Sequence, residues 1–322
     1  MHKLSCSCSC NNNYYKSIDL LPYTKTISMT NKTKGFITAM VSSSAFGMIP
    51  LFSMPALNAG MTTLSVVTHR YAIGSIFMLL LMLWQHENLK IQWGDVWRIF
   101  ILAIFNNLGA LTLIYGYQFM DSGPATTLQF SYPVFTCIIM MMFFHEHITW
   151  RTAIAIALAV MGVAFLSGWQ PGESNVSTIG VVIELLAGLT YAVYLVLVPV
   201  LKVRNIESSK LTFYVFVIST LQLLAVAPLC GGIEVAHTPS LITSLILLGL
   251  IPTAISNYTL ILGLKKIGST LTSILGALEP LTAMIVGVCI FGERFTLIIG
   301  IGFVAIITSV MLLIVPAKTT KN

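Results

Sequence analysis

The chain has 322 residues, of which 56% are hydrophobic and only 9% are charged. A soluble domain usually carries about a quarter of its residues as charged side chains, so a soluble fold could not bury this much apolar surface. The net charge of +6 does not indicate nucleic-acid binding, because the basic residues form short clusters between apolar runs, where membrane proteins carry their topology signals. Composition therefore excludes a soluble globular protein and indicates an integral membrane protein.

The first 28 residues contain no apolar segment that could act as a signal peptide. We expect residues 1–34 to form a disordered cytoplasmic tail, whose last part, Met29–Lys34, leads directly into the first apolar run. Cys6, Cys8 and Cys10 could bind a soft metal, but a disordered tail rich in Ser and Cys is the simpler interpretation. We therefore predict no metal site and no cofactor, and we expect a chain that starts at Met29 to insert normally.

Ten apolar runs follow, each bounded by charged residues, Gly or Pro, and each about as long as an α-helix that crosses the bilayer. They lack the apolar and polar alternation of barrel strands, which leaves helices as the spanning structure. The predicted fold class is therefore all-α integral membrane. The predicted spans cover residues 36–57, 62–84, 97–118, 123–144, 150–168, 178–201, 209–229, 240–264, 269–290 and 296–315.

The distribution of Lys and Arg predicts the orientation of these spans, because cytoplasmic loops are enriched in basic residues. With the N-terminus inside, all but two of the 17 Lys and Arg residues fall on the inside segments or the span ends beside them. The exceptions are Arg294 on the outside and Arg70 within a span. The pattern predicts an even number of spans, with both termini cytoplasmic and the protein in the cell (inner) membrane.

An internal repeat divides the ten spans into two groups of five. The first helices of the two groups align at a shift of 145 residues, which places Gly35 on Gly180. A group of five spans inserts upside down relative to the next, and such inverted repeats allow two halves to rock around a shared midplane site. A shift of 147 aligns Gly116 with Gly263, Ser122 with Ser269, Pro133 with Pro280, Glu146 with Glu293 and Thr149 with Thr296.

Two segments, Tyr115–Leu166 and Leu260–Leu313, share one order of features: a short loop, a start of small residues, a mid-helix proline, an apolar run and an acidic end. The first segment carries these features in Ser122-Gly123-Pro124-Ala125, Tyr132-Pro133-Val134 and His145-Glu146-His147. The second carries them in Gly268-Ser269-Thr270, Leu278-Glu279-Pro280-Leu281 and Phe291-Gly292-Glu293-Arg294. With these motifs, and with Arg70-Tyr71 in span two, the chain resembles the drug/metabolite transporter superfamily, specifically its EamA-type two-repeat members.

The resemblance extends from Gly35 to Val315 and implies two EamA-like repeats, over residues 35–168 and 178–316. It implies transport of a small molecule and an export direction, since the family includes exporters of amino acids, metabolites and drugs. It does not name the substrate. His145 stands where the family usually has Gly before the acidic residue, so the packing of that helix end is expected to differ.

Ionisable groups in the middle of spans are candidate functional residues, because a charge in hydrocarbon costs a few kcal/mol or more. Arg70 lies too deep in span two to reach the interface easily. It could bind a substrate carboxylate through two parallel hydrogen bonds, or bond helix carbonyls and stabilise the fold. For its neighbour His69, a packing role is the simpler interpretation beside a role in proton relay.

Glu184 lies about a third of the way through span six, on one helix face with Gly188 and Tyr191. It could face a vestibule or the substrate site, or form a structural hydrogen bond. Tyr191 is a candidate for substrate contact, although aromatic residues in spans more often serve packing or the interface belt.

Two prolines interrupt the helical ladder in spans four and nine, where Tyr132 and Glu279 precede them. Each break could form a binding element or a tolerated kink. Gln129 shares the face of Tyr132. Glu279 is the only acidic residue near the middle of a predicted span, so its carboxyl is expected to be protonated, as a carrier of the coupling proton, or paired with a cation such as Arg70.

Asn107 and Asn257 in spans three and eight could line a cavity, but hydrogen bonds between helices are the preferred interpretation. His145-Glu146-His147 does not match the HExxH metal motif, and no Walker motif appears, so neither a metal site nor ATP-driven transport is expected.

We predict a secondary transporter that works by alternating access and exports a small amphipathic metabolite or drug. Its expected partners are that substrate, the lipid bilayer and a coupling proton, and nucleic acid is not among them. A membrane-embedded enzyme and a non-transporting receptor or scaffold are the alternatives. The enzyme would need convergent catalytic groups that the sequence does not show.

Overall fold

The computed structural model describes residues 29–119, 125, 128–166, 178–201, 203, 206–290 and 297–314. These residues form helices joined by turns and short loops, which confirms the all-α fold class. The expectations for residues 1–28 lie outside the described residues, as do the motifs at 122–124 and 291–294.

Each of the ten predicted spans coincides with one helix or with consecutive helices. Within the described residues, six helical segments are long and apolar enough to cross a bilayer, and α5, α6 and α13 are shorter apolar helices at spans four, five and ten. The first half of the chain contains α1 (Met29–Phe46), α2 (Ile49–Asn58), α3 (Thr63–Trp84), α4 (Trp93–Gly116), α5 (Tyr132–Phe144) and α6 (Trp150–Leu166). The second half contains α7 (Thr178–Val200), α8 (Ser208–Val226), α9 (Pro239–Gly249), α10 (Ser256–Ile267), α11 (Ser269–Leu275), α12 (Leu278–Ile290) and α13 (Leu297–Ile314).

Local sequence explains where several helices begin. The Thr62 side chain caps α3 by accepting a hydrogen bond from the Ser65 backbone N–H at 3.3 Å, which satisfies one of the free donors at a helix start. Thr238 caps α9 in the same way, and Pro239 occupies its first turn, where the missing N–H costs nothing. These caps fix the helix ends on one face of the molecule.

The two halves pack with an approximate two-fold symmetry. α4 of the first half packs along α7 of the second half, and the symmetry-equivalent pair is α10 of the second half along α1 of the first. The helices α3 and α8 pack against each other, as do α6 and α13, and each of these pairs joins equivalent elements of the two halves. This exchange of partners is what a duplicated, inverted unit requires, because each half completes its packing with the other.

Exposed aromatic side chains mark one edge of the apolar surface. Trp84 ends α3, Trp93 and Trp97 lie in the first turns of α4, and Trp150 begins α6. All four are largely exposed and lie at one end of the molecule, since consecutive spans alternate in direction. Tryptophan is enriched where hydrocarbon meets the headgroups, so this belt is typical of a protein embedded in a bilayer.

The break between α1 and α2 packs closely against α12. A Cβ atom at Gly47 would lie 2.2 Å from the backbone oxygen of Glu279 and 3.0 Å from the Cβ atom of Thr282. Only glycine allows this approach without a backbone shift. The contact places Phe46, the residue before the break, beside the start of α12.

Replacement of Gly47 by alanine is expected to destabilise the folded protein by about 1–3 kcal/mol, the usual effect of overpacking. The measurement is the unfolding temperature of purified protein in detergent. Gly94→Ala is the matched control, because a Cβ atom there would meet no atom within 4 Å and alanine favours the helix. Equal unfolding temperatures for the two variants would contradict the close packing at Gly47.

Candidate functional site

A widened turn of π-helix, Leu250–Ile255, separates α9 from α10. Pro252 has no backbone N–H to offer the carbonyl of Leu248, and the Thr253 hydroxyl donates to that carbonyl instead at 2.7 Å. The Asn257 amide donates to the Thr253 carbonyl at 3.0 Å. Turns of this kind often occur at functional sites, and here the turn leaves the Pro252 carbonyl free to accept a side-chain hydrogen bond.

Arg70 of α3 extends onto this turn. Its Nε donates to the Thr253 hydroxyl at 2.7 Å and its Nη2 donates to the Pro252 carbonyl at 3.3 Å. Its side chain is 1% exposed, and its Nη1 has no hydrogen-bond partner among the residues that the structure describes. The guanidinium carbon lies 5.2 Å from the ring centre of Phe46 and 5.7 Å from that of Tyr71, distances at which a cation is attracted to an aromatic face.

Five aromatic side chains form a connected group beside Arg70, called here the central aromatic cluster: Phe46, Phe130, Tyr132, Tyr191 and Tyr194. The Tyr191 ring stacks on Phe46 with ring centres 5.7 Å apart and meets the edge of Tyr132 at 4.9 Å. Phe130 packs against Tyr132 and Tyr194 against Tyr191. The cluster joins α1, α5 and α7, so both halves of the chain contribute to it.

Tyr132 and Glu279 occupy equivalent positions in the two repeats, each directly before a proline. The Tyr132 hydroxyl packs against Gly276, where a Cβ atom would lie 1.5 Å from it. Glu279 is 6% exposed, and its carboxyl is within electrostatic range of Tyr132, Tyr191 and Arg70. Among the described residues, however, no ion pair of 4.0 Å or less joins Glu279 to Arg70.

Three polar residues that the sequence suggested as site candidates, His69, Asn107 and Gln129, lie in different surroundings. Nδ1 of His69 is 2.7 Å from the carbonyl oxygen of Ser65 on its own helix, so Nδ1 carries the proton and donates. The Asn107 amide donates to the Ser219 carbonyl at 3.2 Å and to the Gln222 side chain at 2.9 Å, which joins α4 to α8. Gln129 is buried, and its backbone oxygen contacts Gly188.

Glu184 lies apart from Arg70, on the contact between α7 and α4. It is fully buried, and within the described part of the chain neither carboxyl oxygen has a hydrogen-bond partner. Its carboxyl packs against Gly116, where a Cβ atom would lie 1.9 Å from Oε1. The structure therefore brings Arg70, Tyr132, Tyr191 and Glu279 together, with Asn257 supporting the turn, and places His69, Asn107 and Glu184 elsewhere.

Three contributors to the site were not singled out from the sequence: Phe46, Thr253 and Phe216, which stacks on Tyr71 with ring centres 5.5 Å apart. Pro252-Thr253 in the middle of an apolar run is a signal of a helix break that could have located the turn. Phe46 has a comparable signal in Gly47, which follows it. Phe216 has no such signal in the sequence, because single aromatic residues are common in apolar helices.

A cavity of about 400 Å³ opens at the ends of α2 and α4. Glu234, from the loop after α8, lies beside this end, where its backbone N–H donates to the Ser65 hydroxyl at 2.9 Å. The cavity residues are Met54, Leu57, Asn58, Gly60, Met61, Thr62, Tyr117 and Gln118.

Comparison with known proteins identifies the class. The model of the EamA-like transporter family matches residues 33–168 and 178–315, which is most of the chain in two copies. A match to this family over most of the chain shows a membrane transporter rather than a membrane-embedded enzyme. The chain belongs to the EamA-like transporter family.

Several relatives share this architecture. The uncharacterized transporter YdfC of Bacillus subtilis is 24% identical over 284 residues, which cover 86% of this chain and 91% of that protein. An uncharacterized transporter of Archaeoglobus fulgidus is 28% identical over 211 residues, 66% of this chain and 74% of that one. A solved crystal structure superposes with a TM-score of 0.72 at 16% identity, covering 88% of this chain and 96% of that chain, a likeness of fold.

Proposed function

We propose that this transporter exports a small amphipathic molecule by alternating access, and that it binds the substrate between Arg70 and the central aromatic cluster. The observation that carries the proposal is the buried Nη1 of Arg70, which has no hydrogen-bond partner among the described residues. A buried donor without a partner costs free energy, more so when it is charged. A ligand that brings an acceptor to this nitrogen recovers that cost.

The surroundings favour a particular ligand chemistry. A carboxylate is the group that complements a guanidinium best, because its oxygens accept short, charge-assisted hydrogen bonds. Phe46 and Tyr191 offer aromatic faces within the same site, which suit a ring or another flat apolar body. Glu279 can accept a hydrogen bond from an ammonium group. The site therefore favours an aromatic carboxylate, with or without an amino group.

Alternating access requires contacts between the two halves that can break on one face of the membrane while the opposite face is closed. At the end away from the cavity, the Thr270 hydroxyl donates to Glu146 at 3.1 Å and the Ser209 hydroxyl donates to Glu87 at 2.5 Å. Both bonds join the first half to the second. We assign this end to the cytoplasm, so the contacts form a cytoplasmic gate and the cavity faces outward.

The orientation that supports this assignment is testable. Reporter tags at the N-terminus, between Lys202 and Lys210, and after Lys318 are expected on the cytoplasmic face of the cell membrane, and a tag near Gly172 on the outside. The reason is the excess of Lys and Arg in the first three regions. Accessibility of the tags to membrane-impermeant reagents measures it. Termini on opposite faces would contradict a duplicated unit of five spans.

The transport proposal is tested with three compounds that share a phenyl ring: phenylalanine, phenylalaninamide and 3-phenylpropionate. Binding to the purified protein is measured by calorimetry, and phenylalanine flux is measured in proteoliposomes with and without a pH gradient. We expect the two carboxylates to bind and the amide to bind far more weakly. Equal binding of all three would remove Arg70 as a carboxylate site, and absence of flux would favour a receptor or scaffold.

A further inference from the structure

Glu184 is a fully buried carboxyl for which the central site gives no role. Both of its oxygens lack hydrogen-bond partners in the described ranges of the chain, and its side chain fills the contact between α7 and Gly116 of α4. A carboxylate in such surroundings costs several kcal/mol, so the group is carried in its neutral form while α4 and α7 stay packed. It can ionise only when water reaches it.

The symmetry-equivalent contact, between α1 and α10, shows that this packing does not need a carboxyl. The repeat aligns Gly116 with Gly263 at a shift of 147 and Glu184 with Ala39 at a shift of 145. A Cβ atom at Gly263 would lie 3.2 Å from the Cβ atom of Ala39, so the equivalent helices pack glycine against alanine. The same fold therefore closes this contact with a methyl group, and packing alone does not explain the acid at position 184.

The position of Glu184 gives it a route to water. Gly116, its contact on α4, is followed directly by Tyr117 and Gln118, which line the outward cavity. On α7 the same face continues from Glu184 through Gly188 to Tyr191. Tyr191 belongs to the central aromatic cluster and is within electrostatic range of Glu279. Glu184 thus lies between the outward cavity and the substrate site.

Other titratable groups on the helices that pack against α7 do not account for the buried carboxyl of Glu184. These helices are α4, α5, α10 and α11. Among the described residues, no ion pair involves Glu184. Within the spans these helices carry Tyr115, Tyr132, Cys137 and Tyr258, and at the cytoplasmic ends they carry Asp95, Arg98, Lys265 and Lys266.

We propose that Glu184 is a proton-carrying group of the transport cycle that takes its proton from the outward cavity. The proposal rests on the proposed function of coupled export. A carboxylate oxygen of Glu184 accepts one proton from water when α4 separates from α7 beside the outward cavity, since Glu184 is fully buried while these helices stay packed. The neutral side chain is buried as α4 and α7 close, and the proton leaves to water when the site opens to the cytoplasm. One O–H bond forms and later breaks, and the charge balances.

The first test does not depend on a substrate. The full-length protein in phospholipid vesicles is treated with dicyclohexylcarbodiimide, which reacts with protonated carboxyls in apolar surroundings, and the modified peptides are mapped by mass spectrometry. We expect modification at Glu184 that decreases as the outside pH is raised. Glu234, in the loop at the outward face, is the internal reference and is expected to stay unmodified. Absence of modification at Glu184, or modification independent of pH, would overturn the proposal.

The second test uses two variants. Glu184→Ala reproduces the contact of Ala39 with Gly263 between α1 and α10, and Glu184→Gln has a side chain close in size to that of Glu. Both are expected to fold and to bind phenylalanine as the wild type does. Unlike the wild type, they are expected to show no stimulation of phenylalanine flux when the pH is lower on the outside than on the cytoplasmic side. Wild-type stimulation in both variants would show that Glu184 carries no proton in transport. Absence of flux in the wild type itself would instead contradict the proposed function.

Discussion

Replacement of Arg70 by lysine is expected to weaken carboxylate binding by roughly 10- to 150-fold, the equivalent of losing one hydrogen bond to a charged group worth about 1.5–3 kcal/mol. Lysine keeps the positive charge but has no planar fork. Its three N–H donors share one nitrogen, so they cannot reproduce the separate positions from which the guanidinium bonds Thr253, the Pro252 carbonyl and the ligand. The measurement is calorimetric binding of 3-phenylpropionate, with phenylalanine flux as the second readout.

His69→Gln is the matched control, because His69 is adjacent in sequence but donates to the Ser65 carbonyl of its own helix. We expect its affinity to stay near that of the wild type. A loss of affinity should appear for the carboxylates and not for phenylalaninamide, since a general defect of folding would weaken all three. Wild-type affinity in Arg70→Lys would show that Arg70 serves the helix packing alone.

Glu279→Gln, which mimics the protonated carboxyl, is expected to abolish pH-driven transport while substrate exchange continues. The alternative is a structural pair with Arg70, whose loss would reduce the amount of folded protein because a broken buried pair costs about 3–5 kcal/mol. The described structure favours the first outcome, since Arg70 bonds to Thr253 and Pro252 and not to Glu279. The yield of folded protein and the pH profile of flux separate the two.

The control for this variant is Glu207→Gln, an exposed acid before α8 at the cytoplasmic side. It changes the same functional group outside the membrane and is expected to leave the pH profile unchanged. A Glu279→Gln variant that transports with the pH dependence of the wild type would remove Glu279 from proton coupling.

Fold class and spans followed from the sequence because a bilayer imposes one simple requirement, about 20 apolar residues in a helix with satisfied backbone bonds. The repeat, too, was visible, since Pro133 and Pro280 mark equivalent breaks. The centre of the site was less accessible. Arg70 and Thr253 are 183 residues apart, and no local pattern encodes which face of α3 meets the turn between α9 and α10.

The role of polar residues in the spans also depends on such contacts. Asn107 and Asn257 have the same chemistry, yet one joins two helices and the other supports its own turn. Glu184 and Glu279 are both isolated acids in apolar runs, but their surroundings differ. The Glu184 carboxyl packs against Gly116, whereas the Glu279 carboxyl lies within electrostatic range of Arg70. Sequence can identify a group that is costly to bury, but only the neighbouring helices decide what relieves that cost.

The widened turn at Leu250–Ile255 makes the two halves mechanically unequal. Its counterpart in the first half is α4, an uninterrupted helix with no proline between Trp93 and Gly116. An uninterrupted helix tilts as one rigid body. A helix with a π-helical turn has one extra residue in that turn, and it can absorb movement there because the extra residue can shift into a neighbouring turn. In the alternating-access cycle proposed above, we therefore expect the inward-open and outward-open states to depart from the two-fold symmetry of the repeat. We expect the largest departure at this turn, where the Pro252 carbonyl accepts a hydrogen bond from Arg70, so a movement there would change how Arg70 is held.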